Sequence, residues 1–340
     1  MKIKIAVLTV YPLEKGGGAE IVWKNLKDNI KDWKLDFYYL PQKIPNILHL
    51  KEIFFAPFLW KKIKRKKYDV IFYDKILGWC APKSSVPKIC YNHGLYSLAG
   101  NMFKEKNFLL YLFFKYFLSF FEKLSYKKST KIVAVSETVK NETIGMGIPG
   151  SKIEVIYNGV DLKRFKPIKN KTKLRRIFGL PLNKKIILFL ARASYGKGFD
   201  LSSKLMKFLD KKYLLVVTDY GKNKEKIKFI GKISQKKLPL LINAVDMAIF
   251  PSRYEGNSLA LLECAACAVP VFSTPVGLMK EYEHDRNLQD FIFKNVFDLM
   301  KKIKNDKNIE KGKYIWLGFA KKFPLANQVK NFKLFVEKII

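Results

Sequence analysis

The chain has 340 residues, 49% of them hydrophobic and 14% aromatic, which suits two domains of ordinary size and excludes a disordered chain. Lys and Arg number 65 against 29 Asp and Glu, a formal charge of +36. Nearly all the excess is lysine. An A-rich codon bias explains it only in part, because glutamate stays scarce, so a polyanionic partner (membrane surface, nucleotide substrate or nucleic acid) is expected. Cys80, Cys90, Cys264 and Cys267 are too few for a disulfide scaffold.

In chain order, apolar β-rich runs occur at Ile3–Val10, Val70–Asp74, Lys88–Asn92, Ile132–Val135 and Ile153–Tyr157. A second series follows at Ile186–Leu190, Leu214–Thr218, Ile227–Ile230, Met247–Pro251 and Val269–Ser273. Near-continuous apolar runs separated by helical patterns predict parallel strands buried on both faces, hence α/β architecture with two doubly wound sheets. The boundary is expected near Asp161–Asn183, where Pro167, Pro181 and a dense set of basic residues lie between the two series. The first run is too short for a signal-peptide core, and no stretch reaches the 18 or so apolar residues of a spanning helix. A soluble or peripheral cytoplasmic protein is the expectation.

Glu255-Gly256-Asn257-Ser258-Leu259 follows a predicted strand and opens an apolar helix that also carries Glu263. Amides at a helix start suit an anion, and carboxylates suit paired sugar hydroxyls. On spacing alone, a capped helix with a solvated Glu255 and an incidental Glu263 serves equally well. This segment, continuing to Val269-Pro270-Val271 and Thr274-Pro275-Val276-Gly277, resembles the signature of retaining glycosyltransferase family 4, the group 1 glycosyltransferases. The family's pair of glutamates separated by seven residues is matched by Glu255 and Glu263. Further along, Ala191-Arg192-Ala193-Ser194-Tyr195-Gly196-Lys197-Gly198 resembles the family's Gly-Arg-Leu…Lys-Gly segment. Gly16-Gly17-Gly18-Ala19-Glu20 resembles its Gly-Gly-Ala-Glu loop and does not fit the dinucleotide pattern G-x-G-x-x-G. His93 stands after a strand where the family often places a histidine. His49 and His284 have no such context.

The resemblance implies a GT-B fold, two Rossmann-like domains facing a cleft whose closure would exclude water. It divides the chain into an acceptor-side domain 1–165, a nucleotide-sugar-binding domain 166–322 and a helix 323–340 crossing back to the first domain. It implies transfer of a sugar from a nucleotide-diphosphate donor to a lipid-linked or polysaccharide hydroxyl, with retention, in cell-envelope glycan synthesis. Glu255, His93, Arg192 and Lys197 are the implied catalytic residues. Donor binding falls to Gly17, Gly18, Arg192, Lys197, Asn257, Ser258, Leu259 and Glu263, with Arg192 and Lys197 on the leaving diphosphate and Glu263 on the ribose. The Gly231–Ile233 loop is implied to touch the base. No metal and no cofactor beyond the nucleotide-sugar co-substrate are expected, and no side chain presents itself as a nucleophile.

Three readings compete: a nucleic-acid or membrane binder using the basic surface, a catalytically inactive protein on the same fold, and a sugar-nucleotide epimerase. No nucleic-acid motif supports specific binding of that kind. Cys264-Ala265-Ala266-Cys267 is formally C-x-x-C, but without a second matched pair it reads as small buried residues. Asn107–Leu124 is Phe- and Leu-rich, with charges only at Lys115, Glu122 and Lys123. It suits either a core helix or a segment dipping into an anionic membrane surface beside the basic run 61–67.

Overall fold

The structure, a computed structural model, describes residues 2–15 and 17–340, so Gly16 of the glycine loop lies outside the described residues. It divides into two compact units, one running to Asn158 and taking in Asn327–Ile340, the other Gly159–Ala326. The expected division fell after residues 165 and 322.

The first unit holds six parallel strands: β1 (Lys4–Thr9), β2 (Lys34–Tyr39), β3 (Val70–Asp74), β4 (Lys88–Asn92), β5 (Lys131–Ala134) and β6 (Ile153–Val155). Their order is β2-β1-β3-β4-β5-β6. Five were expected from apolar runs, and β3 and β4 are buried at every residue. The sixth, β2, sits at an edge with Lys34 and Tyr39 exposed and the residues between only partly covered, so its sequence never becomes an apolar run.

Helix Gly18–Asn29 lays Val22, Trp23 and Leu26 against this sheet. Trp23 is fully buried, with its ring edge-on to Phe72 (5.4 Å), Tyr91 (5.0 Å) and Phe332 (6.0 Å). Phe332 comes from the final helix, Leu325–Ile339, which also ties to this unit through Lys333 and Asp32 (2.6 Å). The C-terminal segment is thus a structural part of the first unit.

The second unit holds β7 (Lys185–Phe189), β8 (Tyr213–Val217), β9 (Ile227–Phe229), β10 (Met247–Phe250) and β11 (Val271–Ser273). All are parallel, in the order β11-β10-β7-β8-β9. Arg175 fastens the entry to this sheet. Its buried guanidinium reaches Asp246 Oδ2 (2.5 Å) and the carbonyls of Ala244, Leu182 and Lys184 (3.1 Å each). Such a cation is tolerated because its charge and most of its donors are matched.

Among the described residues, no helix is long and apolar enough to cross a membrane. Cys264 and Cys267 are buried free thiols on the helix Leu259–Ala266 and its C-cap, with burial pushing Cys267 up to about 12. That is the environment of packing residues, not of reactive thiols.

Because Phe332 closes the Trp23 cluster, Phe332→Ala is expected to cost the first unit about 3–5 kcal/mol. Leu334→Ala, half exposed on the same helix, should cost below about 0.5 kcal/mol. Denaturant midpoints of the two variants check this.

Candidate active site

A doubly wound sheet binds ligands at the carboxyl ends of its strands, where neighbouring strands send their connections in opposite directions. In the second unit that point lies between β7 and β10, adjacent in the sheet but far apart in sequence. The loop after β7 carries Arg192 and Lys197, and the turn after β10 carries Glu255.

The structure brings these two loops together. Lys197 Nζ lies 2.5 Å from Glu255 Oε1, and the Ser252 hydroxyl donates to the same oxygen at 3.1 Å. Arg253 staples the loops further. Its guanidinium pairs with both oxygens of Asp200 (2.8 and 2.7 Å), donates to the Tyr195 carbonyl (2.5 Å) and lies 3.6 Å over the Tyr195 ring. Gly198 has φ +74, and a Cβ there would strike the Pro251 carbonyl. Gly277 has φ +55, and a Cβ there would strike the carbonyls of Glu255 and Gly256. At both positions only glycine permits the close approach.

Arg192 is exposed, and its guanidinium takes no hydrogen-bond or ion-pair partner among the described residues, while its carbonyl accepts from Ser194 N at 2.8 Å. Its loop is held by Asp219 at the end of β8, whose Oδ2 accepts from the Ala193 amide at 2.8 Å. Ser258 caps the helix Leu259–Ala266, with its hydroxyl accepting from Leu261 N at 3.4 Å, and Asn257 beside it is buried. One turn further in, Glu263 is buried, which pushes its carboxyl up to about 8, while the charge of Arg164 pulls the other way.

The first unit has its own switch point, between β1 and β3. Gly17 follows β1, and its amide donates to Glu20 Oε2 at 2.7 Å, the half of a capping box that a glycine N-cap can make on helix Gly18–Asn29. A Cβ at Gly18 would meet nothing within 4 Å. Glu20 is buried, and that burial, with Asp74 nearby, pushes it up to about 7. Asp74 ends β3 and accepts from Trp23 Nε1 at 3.1 Å. His93, after β4, stacks on Tyr91 (centroids 4.9 Å apart) with its buried Nε2 3.7 Å from Asp74 Oδ1 and no hydrogen-bond partner among the described residues.

Arg192, Lys197, Glu255, Asn257, Ser258, Leu259 and Glu263 therefore gather in one unit, and Gly17, Gly18 and His93 in the other. Sequence reasoning placed Glu20 in the glycine loop without a role, and passed over Asp74, Asp219, Ser252 and the Arg253–Asp200 pair. Asp74 and Asp219 had a readable signal, a carboxylate at a strand's C-terminal end. The Arg253–Asp200 pair had none, since 53 residues separate its partners. His49, read as without context, donates from Nδ1 to Glu52 (2.7 Å), a buried carboxylate that also accepts from the Tyr96 hydroxyl at 3.0 Å. It is a structural histidine.

The chain is similar to known proteins in sequence and fold. The family model described as Glycosyltransferase Family 4 matches residues 18–164, and that of Glycosyl transferases group 1 matches residues 170–305. An uncharacterized glycosyltransferase of Methanocaldococcus jannaschii is 30% identical over 186 residues, 49% of this chain and 48% of that protein. An Escherichia coli UDP-Gal:alpha-D-GlcNAc-diphosphoundecaprenol alpha-1,3-galactosyltransferase is 26% identical over 258 residues, 68% of this chain and 64% of that protein. Each match thus covers less than two thirds of the relative's own length. Anabaena HepE in complex with UDP-glucose superposes with a TM-score of 0.76 at 16% identity, over 99% of this chain and 100% of that one. Two parallel Rossmann-like sheets, the loops at their switch points and these matches along most of the sequence make the chain a member of glycosyltransferase family 4, the group 1 glycosyltransferases, with a GT-B fold.

Proposed function

We propose that this glycosyltransferase moves a sugar from a nucleotide-diphosphate donor to a hydroxyl of a lipid-linked or polysaccharide acceptor, with retention and without a resident metal, in envelope glycan synthesis. The observation that carries the reading is the Lys197–Glu255 pair at 2.5 Å, a cation and a carboxylate set side by side at the second sheet's switch point. The E. coli relative is named for a UDP-sugar and a diphosphoundecaprenol acceptor, and HepE is described with UDP-glucose. UDP-sugars are therefore the first donors to test.

In this reading the bond from the anomeric carbon to the diphosphate oxygen breaks, and the leaving diphosphate gains a negative charge. Arg192 supplies a planar fork and Lys197 a point charge for it. The amides near Asn257, Ser258 and Leu259 add the start of a capped helix. The acceptor hydroxyl's proton passes to a donor phosphate oxygen, which removes the need for a side-chain base. Glu255 accepts from a sugar hydroxyl and Glu263 from the two ribose hydroxyls. Gly17, Gly18 and His93 keep the sugar-side roles that the family resemblance implies, and the open space above Gly18 suits a backbone meant to be approached.

A panel of UDP-, GDP- and ADP-sugars should raise the melting temperature for one base, since a ligand held by the folded state alone stabilises it. Arg192→Ala should abolish that shift and lower kcat/KM by about 100-fold or more. No shift with any nucleotide, in a folded protein, would sink the transferase reading. NMR of the product's anomeric configuration tests retention.

Glu263 adds a pH dependence. Its folded pKa, about 8, lies above the ordinary 4.5. Between these values the folded state binds more protons than the unfolded one, so stability falls as pH rises through the window and levels off above about 8. Glu263→Gln removes this penalty. Its unfolding free energy should equal the parent's near the acid end of the window and exceed it increasingly towards pH 8, by at most roughly 1.4 kcal/mol per pH unit, read from denaturant curves across that range. Ribose hydroxyls favour the carboxylate, so nucleotide binding near neutrality should release a proton. Calorimetry in buffers of different ionisation enthalpy reads that proton, and Glu263→Gln should not release it.

A further inference from the structure

In the first unit, two helical segments carry aromatic side chains where a solvent-facing helix normally carries polar ones. Helix Leu50–Ile63 buries Ile53, Ala56, Leu59, Trp60 and Ile63, and turns outward the stripe Phe54, Pro57, Phe58, Lys61 and Lys62. Phe54 is 71% exposed and Phe58 47%. The second segment runs through Phe108–Leu112, a π-helical turn Phe113–Leu118 and Ser119–Lys128. It buries Tyr111, Phe114, Leu118 and Glu122 and turns Tyr116 (62% exposed), Phe120 (63%), Lys123 and Lys127 outward at helical spacing. The wide π-turn leaves Lys115, Tyr116 and Phe117 exposed in succession.

Each outward stripe therefore reads aromatic first and lysine after. The two are neighbours. Phe121 touches the rings of Phe117 and Phe120 (5.3 and 5.4 Å) and that of Trp79 (5.3 Å), and Trp79 Nε1 donates to the Ile53 carbonyl (3.0 Å), next to Phe54. Lys62 lies 4.7 Å over the Phe58 ring. Glu52 and Glu122, the carboxylates of these helical segments, are both buried and bound within the unit, so among the described residues neither segment turns an acid outward to offset its lysines.

We infer that this paired face docks on an anionic lipid bilayer. The aromatic rings would sit at the boundary of headgroups and acyl chains, and the lysines among the phosphates. Charge complementarity selects this occupant, because a second copy would oppose lysine to lysine. The face also extends the sequence expectation for Asn107–Leu124. That segment is half core, and helix Leu50–Ile63 contributes as much outward surface. The inference stands on this surface alone, and the lipid-linked acceptor of the proposed function gives it a purpose.

Flotation of the full chain with phosphatidylglycerol vesicles and with phosphatidylcholine vesicles tests it. Binding to phosphatidylglycerol is expected to exceed that to phosphatidylcholine by about tenfold or more and to weaken with salt. Phe54→Ser with Phe120→Ser should lower binding to phosphatidylglycerol by about tenfold, and Lys61→Glu with Lys62→Glu by a similar factor. These side chains are exposed, so the variants should keep the parent's circular dichroism and its nucleotide-induced thermal shift. Equal binding to both lipids, or undiminished binding by the aromatic variant, overturns the inference. So does a parent that ignores vesicles and forms a dimer which the aromatic variant dissolves. A lost nucleotide shift with vesicle binding intact would count against the transferase reading alone.

Discussion

The adjacency of β7 and β10 is the constraint on which the second unit's chemistry depends. These strands pair through only Met247↔Ile187 and Ala248↔Leu188, yet that short register puts the Arg192–Lys197 loop beside the Glu255 turn. Everything else at this point holds the two loops at their distance. Arg253 and Asp200 form a bidentate pair across them, and Gly198 and Gly277 allow backbone to meet backbone where any side chain would intervene. Replacing either glycine would shift the turn that aims Glu255, because the atoms in the way are carbonyls and not flexible side-chain ends.

Both switch points also gather carboxylates that burial makes reluctant to ionise. Glu263 in the second unit is raised to about 8 and Glu20 in the first to about 7. Buried acids used only for stability are usually paired, as Glu52 is by His49, Asn46 and Tyr96. Among the described residues, Glu263 has the field of Arg164 alone against its burial. Keeping such a group costs stability at neutral pH, and such costs cluster where a protein binds or reacts. That contrast separates Glu263 from the structural acids without reference to its motif.

How much of this was legible follows from the physics of each signal. Strands buried on both faces write continuous apolar runs, so β3, β4, β7 and β10 were readable, while the half-exposed β2, Lys-Leu-Asp-Phe-Tyr-Tyr, was not. Short local constellations such as Glu255 to Ser258 were visible because their parts are sequence neighbours. Their meeting with Lys197 was not, since it depends on a strand order that no local pattern encodes. The final helix announced its amphipathic face, but its partner Trp23 lies some 300 residues away in the chain. The segment Asn107–Leu124 showed apolar residues nearly all round. Which of them face solvent was settled only by the π-turn and by packing on Tyr96 and Trp79.

The Lys197–Glu255 pair shows why a preformed site can be charged and still economical. An ammonium already held by a carboxylate, itself fixed by the Ser252 hydroxyl, has lost its rotamer freedom before any ligand arrives. On the proposed reading, a diphosphate oxygen then competes with Glu255 for the same cation. Glu255 is left with acceptor capacity, and a sugar hydroxyl is the group that can take it up. Diphosphate without sugar would leave that carboxylate short of a donor, and a free sugar would leave it facing a lysine still bound. On that reading the pair would couple recognition of the two parts of the donor and favour the intact nucleotide-sugar over either fragment.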